Sequence, residues 1–105
     1  MSKKTPAQQL TESVIRLFTL HGWFIWRGGS TAGRNAQGDF YRTGTPGAPD
    51  LYAIRGLRYV LIEIKAGKDV LRPSQIKFQQ RVDAAYGTYI VVRNLDDAIS
   101  WIQGE

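Results

Sequence analysis

Glu63 and Lys65 stand two residues apart in the run Tyr59-Val60-Leu61-Ile62-Glu63-Ile64-Lys65, whose β-branched and aliphatic content reads as a strand. Side chains alternate along a strand, so Val60, Ile62 and Ile64 share one side while Leu61, Glu63 and Lys65 share the other. A strand apolar on both faces belongs in the middle of a sheet, where a carboxylate and an ammonium are costly unless paired or bound to a metal. An inert ion pair at the strand end meets that demand, and Glu-x-Lys alone does not separate it from a reactive pair. Asp50 shifts the balance. It follows Gly47-Ala48-Pro49 and opens the preceding strand, Asp50 to Ile54, and a hairpin through Arg55-Gly56-Leu57-Arg58 brings its carboxylate beside Glu63. Two carboxylates at a sheet end, unable to share space without a cation, form a site for Mg²⁺ or Mn²⁺ with water completing the shell. The backbone carbonyl of Ile64, between the two functional side chains, is a further candidate oxygen ligand. A cation there would stabilise charge on a scissile phosphate and lower the pKa of a water, with Lys65 placed to orient that water or neutralise the pentacovalent transition state.

The surrounding sequence must supply the elements that hold these groups. Thr5-Pro6-Ala7-Gln8 has the Thr-x-x-Gln form of a capping box with Pro at the first helical position, and Leu10, Val14, Leu17, Phe18 and His21 recur at helical spacing. This predicts a helix from Pro6 to His21, stopped by Gly22. Trp23-Phe24-Ile25-Trp26 reads as a strand. From Arg27 to Pro49 the composition changes, with Gly at 28, 29, 33, 38, 44 and 47 and Phe40 and Tyr41 as the only large apolar anchors. A long loop is expected there, with at most a short strand around Phe40. Loops of that length in a small domain are usually functional or disordered; the functional reading is favoured here, with Arg27, Arg34 and Arg42 as candidate substrate contacts. Pro73 opens a helix in which Phe78, Val82 and Ala85 share a face and which ends near Gly87. Thr88 to Val92 is a strand, and Asn94 caps a last helix expected to bury Leu95, Ala98, Ile99 and Ile102. The expected order is α-β-β-β-α-β-α, one mixed α/β domain over residues 1–105 with a central sheet flanked by helices.

Composition narrows the chemistry. The chain has no cysteine, which excludes a disulfide scaffold, a thiolate zinc site and a cysteine nucleophile, and is compatible with a reducing cytoplasm. No apolar run approaches the ~20 residues of a membrane span. Fourteen Lys and Arg against nine Asp and Glu give a net charge of +5, which suits a polyanionic partner, although basic proteins that bind no nucleic acid share that property. The glycines lack the Gly-x-x-x-x-Gly-Lys-Ser/Thr arrangement of a nucleotide phosphate loop, so no ATPase is read here. His21 has no second His or acidic partner at metal spacing and reads as a helix-end residue. Trp23, Trp26 and Trp101 read first as core and second as base-stacking residues.

Pro49-Asp50, twelve residues and then Glu63-Ile64-Lys65 resembles the Pro-Asp…(Asp/Glu)-x-Lys nuclease signature. More narrowly, Gly47-x-Pro49-Asp50-Leu51, Glu63-x-Lys65 and Leu71-x-x-x-Gln75 resemble the virus-type replication-repair nuclease (VRR-NUC) family of that superfamily, over nearly the whole chain. The resemblance implies a restriction-endonuclease-like core, with Asp50 and Glu63 as metal ligands, Lys65 as the catalytic lysine and Gln75 as an additional active-site residue. It also makes Glu12, on the first helix, a candidate acidic residue near the metal, against the reading of a solvated helix face. Family members often carry Ser where Arg72 stands. Ser-x-x-Gln is a capping box, whereas Arg72 has no cap oxygen. Gln75 is then either a structural cap on the Arg72 N–H or, one turn before Phe78, an inward-facing site residue. Arg72 itself suits a DNA phosphate at the helix N-terminus, and Lys68 and Lys77 are further candidate DNA contacts.

The resemblance implies a soluble, cytoplasmic deoxyribonuclease of phage or bacterial type, dependent on Mg²⁺ or Mn²⁺, needing no nucleotide cofactor and acting in DNA repair on branched DNA such as Holliday junctions or flaps. No base-reading helix or zinc module is evident, so recognition by shape is expected. A non-catalytic nucleic-acid-binding module that keeps the fold is the other class open to the sequence. One site cuts one strand of a branched substrate per encounter, so a homodimer is expected, with Trp101, or Trp23 and Trp26, as interface anchors; a monomeric nicking enzyme is the alternative.

Overall fold

The computed structural model describes residues 3–28 and 31–104, with only the backbone described at 31–33 and 41–43. Helix α1 spans Pro6–Leu20. Its capping box forms as the sequence predicts: Thr5 Oγ1 accepts from the Gln8 N–H (3.1 Å) and Gln8 Oε1 accepts from the Thr5 N–H (2.8 Å). The helix ends at His21, and Gly22, at φ +85°, turns the chain into strand β1, Phe24–Arg27. Strands β4 (Leu51–Arg55) and β5 (Arg58–Ile64) form a hairpin closed by Gly56 at φ +63°, helix α2 covers Pro73–Ala84, strand β6 Tyr89–Val92 and helix α3 Leu95–Gln103. Asn94 Oδ1 caps α3 by accepting from the Asp97 N–H at 2.9 Å.

The main sheet has the order β1-β4-β5-β6, antiparallel except for the parallel β5–β6 pair. The register settles which side chains share a face. Leu51 pairs with Ile62 and Ala53 with Val60, and these point with Ile25, Ile64 and Val92 toward α1 and α3. There they meet Val14, Phe18 and Ala98 in the main core, each fully buried large side chain contributing ~1.5–3 kcal/mol. Trp23 and Trp101 close this core against Phe18, with ring centroids 5.5–5.9 Å apart. Trp23 is therefore a buried core residue, and Trp101 packs partly buried against it. Leu95, expected inside, is exposed.

The opposite face carries Leu61, Glu63, Lys65 and Tyr89 beneath α2, whose Phe78 ring lies 6.4 Å from that of Tyr89. The result is three layers: α1 with α3, the sheet, and α2.

The segment from 27 to 49, expected to be a loop, holds a second, two-stranded antiparallel sheet: β2 (Thr31–Arg34) and β3 (Phe40–Thr43). Its turn explains it. Asn35 Oδ1 accepts from the N–H groups of Gln37 (3.0 Å) and Asp39 (2.9 Å), and Gly38 adopts φ +84°. Arg27, expected to start the loop, is instead the last residue of β1. The chain returns through residues 44–49 to the front of α2, where Gly47, at φ +78°, sits so close that a Cβ on it would lie 2.1 Å from the Ser74 carbonyl oxygen. Pro49 is fully buried.

That approach leaves no room for a side chain and fixes the segment that delivers Asp50. Gly47→Ala should lower stability by roughly 2 kcal/mol or more, read as a reduced urea midpoint, because strain at positive φ adds to a clash with backbone. Gly38→Ala, at a similar φ but in open space, should lose only about 1 kcal/mol. Equal losses at the two sites would show that the contact with α2 is unimportant.

Candidate active site

Asp50 lies immediately before β4, and the ladder continued by one residue sets it opposite Glu63. Its Oδ2 accepts a hydrogen bond from the Ile64 N–H at 2.8 Å, while its own carbonyl accepts from the Gly28 N–H at 2.8 Å. Asp50 thus ties together β1, β4 and β5 at one end of the sheet. Glu63 is 3% exposed and Lys65 6%. The Lys65 Nζ stands 3.6 Å from Glu63 Oε2. Asp50, Glu63 and Lys65, singled out from the sequence, are brought to one place.

Gln75 unites its two alternative readings. Its Oε1 accepts from the Arg72 N–H at 2.8 Å and its Nε2 donates to Glu63 Oε2 at 2.8 Å. Because the Arg72 guanidinium has no acceptor, only the reverse half of a capping box can form, and that half fixes which end of the amide faces Glu63. A helix cap therefore aims a donor at the carboxylate.

The remaining oxygen, Glu63 Oε1, is buried without a hydrogen-bond partner, and so is the Tyr89 hydroxyl. Burial first, and the Asp50 charge second, push the Glu63 carboxyl from its ordinary value near 4.5 up to about 7, against the opposing pull of Lys65. Burial and the same two carboxylates also push the Tyr89 phenol upward. An orphaned oxygen beside a second carboxylate is a donor set that fits a hard divalent cation. Among the described residues no third Asp, Glu or His joins the pair, so backbone carbonyl and water would have to complete the shell.

No protein-family profile and no curated protein matches the sequence. A solved structure described as a VRR_NUC domain does match in three dimensions, with a TM-score of 0.73, 18% identity, and coverage of 95% of this chain and 97% of that one. The fold is that of a VRR-NUC domain. The mixed α/β architecture expected from the sequence, a central sheet flanked by helices, is thereby shown.

On this VRR-NUC fold the other expected site residues scatter. Glu12 is not at the carboxylate pair: Lys4 holds it at 2.8 Å, and this contact, with Arg27 and Arg16 nearby, keeps its carboxyl below the usual range. It lies on α1, which covers the core face, so the metal role expected of it has no geometric support. Arg27 alternates with Trp26 along β1 and so points to the core-side face, away from Asp50, where it joins Lys3, Lys4 and Glu12. Arg34 donates from Nη1 to the Gly38 carbonyl at 2.9 Å and braces its own turn. The Arg42 side chain is outside the described residues. Lys68, Arg72 and Lys77 are exposed, in and just before α2. Arg93 was missed; its Nη1 donates to the Asp69 carbonyl at 2.6 Å and holds the segment between β5 and α2. Its only signal in sequence is a position just after β6.

The raised Glu63 carboxyl has a consequence for stability. Without metal, the folded protein keeps this proton to a higher pH than the unfolded chain, so the contribution is whole below about 4.5 and is lost as pH rises through about 7. In chelator, the urea midpoint should fall between about pH 5 and 8, and Glu63→Gln should flatten that fall. A wild-type profile already flat over the interval would contradict it.

Proposed function

We propose that this chain is a divalent-metal-dependent DNA endonuclease that hydrolyses phosphodiester bonds, with Asp50 and Glu63 as metal ligands and Lys65 as the catalytic lysine. The observation that carries the reading is the buried Glu63 carboxylate, facing Asp50, with one oxygen unpartnered and Lys65 and Gln75 on the other, all on a VRR-NUC fold. A net charge of +5 suits DNA as the polyanion. Branched substrates such as flaps and four-way junctions fit a domain without a base-reading helix, because selection then rests on shape.

Bound between the carboxylates, Mg²⁺ or Mn²⁺ would supply positive charge opposite the developing phosphorane charge and acidify water. The chain's own residues do the rest. Asp50 is oriented by the Ile64 N–H, which also positions the Ile64 carbonyl as a further ligand. Gln75 holds one oxygen of Glu63 and leaves the other free. Lys65, buried and within reach of Glu63, presents its ammonium to a non-bridging phosphate oxygen or to the attacking water. Arg72, Lys68 and Lys77 surround this end of α2 with exposed cations for phosphates, and Arg34 offers another on the β2–β3 hairpin.

Cleavage should require Mg²⁺ or Mn²⁺ and stop with chelator. Asp50→Asn and Glu63→Gln should each lower the rate at least 100-fold, roughly the scale of losing a charge-stabilising group. Lys65→Ala should keep DNA affinity while losing a similar factor in turnover. A panel of hairpin, flap, nicked and four-way DNA is the measurement. Wild-type rates in either carboxylate variant would remove the site assignment, and DNA binding with no cleavage by the wild type would leave the non-catalytic binding module.

Homodimer formation belongs to the same reading, since paired cuts in a junction need two sites. Trp23 is buried and Trp101 packs partly buried against it, whereas Phe24 and Trp26 are exposed on the edge strand β1, 4.9 Å apart between centroids and stacked on toward Tyr52. Sedimentation equilibrium at micromolar concentration should give a dimer that Trp26→Ala weakens. A monomer mass, free and on four-way DNA, with nicks that never pair would rule it out.

A further inference from the structure

The face of the sheet that carries Glu63 lies beneath α2. Helix α2 crosses it with Gln75 at Glu63 and Phe78 against Tyr89. Beside Phe78 lie two adjoining clefts, of about 310 and 370 Å³, which share Thr45, Phe78 and Arg81. One opens toward Pro73 and Lys77, next to Gln75, and the other reaches Tyr59 and Gly87. Together they make a groove that follows α2 for its length, ~18 Å at the helical rise per residue. Its near end is at Pro73 and Ser74, in the turn of α2 that also carries Gln75. Its far end is at Tyr59, on the same strand face as Glu63 and four residues along β5, ~13 Å away.

The walls differ in chemistry. Phe78 and Val82 give an apolar floor, and the Tyr59 side chain beside them is 55% exposed. Lys77 and Arg81, four residues apart on one flank of α2, are exposed and have no hydrogen bond or ion pair among the described residues. Among the described residues no acidic side chain lines either cleft. A groove with an apolar floor, an exposed aromatic and a row of free cations complements a ligand with flat apolar faces on one side and repeated anions on the other. An unpaired nucleic-acid strand has that form, whereas a duplex hides its base faces and offers an apolar floor nothing.

We propose that this groove binds an unpaired stretch of DNA running on from the phosphate at the carboxylate site, with Tyr59 stacking a base and Lys77 and Arg81 holding the backbone. The assignment of that first phosphate rests on the nuclease reading above, but affinity of the groove for a single strand does not. The groove supplies a physical basis for preferring branched DNA. A flap or frayed junction delivers unpaired nucleotides without the cost of unstacking a duplex. Arg81, absent from the residues singled out in the sequence, becomes a DNA contact, and Tyr59 a determinant of substrate form.

The test uses Glu63→Gln protein, so that binding is read without cleavage, with labelled oligo-dT and a duplex of matched length. Fluorescence anisotropy across a salt series should give tighter binding to the single strand. Tyr59→Ala should weaken the single strand about tenfold, the scale of one lost base–aromatic stack, and leave the salt slope and the duplex nearly unchanged. Arg81→Ala should weaken the single strand and reduce its salt slope by about one, as for one lost phosphate contact. Circular dichroism of these exposed-site variants checks that they fold. Equal loss for duplex and single strand, or no loss in any variant, overturns the groove. Tyr59→Ala that leaves DNA affinity intact but lowers the sedimentation mass also overturns it, assigning the surface to a second copy of the chain. If the wild type cleaves nothing while oligo-dT binding still depends on Tyr59 and Arg81, the groove stands and the nuclease reading falls. If cleavage is normal and those variants bind as the wild type does, the reverse holds.

Discussion

A carboxylate in the middle of a sheet has to be answered by its surroundings, and Glu63 organises this molecule through that demand. The side chain sits under α2, where the charged form is disfavoured, and each neighbouring element responds to it. Lys65 brings a counter-charge from the same strand face. Gln75 brings a donor from α2 and so fixes where the first turn of that helix lies. Asp50 brings a second negative charge, which makes the deficit worse unless a cation enters. The arrangement is therefore unsatisfied by itself, as the orphaned Oε1 records, and unsatisfied in the direction that favours a divalent metal.

Holding Asp50 there requires a second constraint, since a carboxylate just outside a strand is mobile unless its backbone is fixed. Gly28 donates to the Asp50 carbonyl on one side, the Ile64 N–H reaches its carboxylate on the other, and Gly47 lets the incoming chain press against the start of α2. The Arg72–Gln75 pair shows how structure and site share one residue. Where Ser would cap the helix from its first position, Arg72 leaves the cap to Gln75 alone, and capping then orients the amide for Glu63. Stability of the helix end and geometry of the carboxylate are coupled through that single side chain.

Much of this was legible in the chain. The alternation of Val60, Ile62 and Ile64 with Leu61, Glu63 and Lys65 stated which face was chemical, the Thr5-x-x-Gln8 box placed the first helix, and Pro49-Asp50 before the hairpin put a second carboxylate at the sheet end. Each rests on periodicity or local hydrogen bonding, which neighbours in sequence suffice to define. The β2–β3 hairpin was less visible because its strands are short and glycine-rich, and only the Asn35 to Gly38 turn marked it. The surroundings of Glu12 and Arg27 were hidden for a different reason. The side of the sheet that a helix covers is a matter of packing between distant elements, and that packing sets Glu12 beside Lys4 and Arg27.

The sequence by itself determined which residue types carry the chemistry, the spacing that puts Glu63 and Lys65 on one strand face, and the basic balance that suits a polyanion, because alternation and composition are properties of the chain. Tertiary structure decided the rest. It made Gln75 both cap and ligand to Glu63, turned Trp23 and Trp101 inward against Phe18, separated Glu12 from the carboxylate pair, and opened the groove beside α2. Those outcomes depend on which faces meet across layers, and burial, which sets both the Glu63 charge cost and the exposure of Tyr59, exists only once the layers have closed.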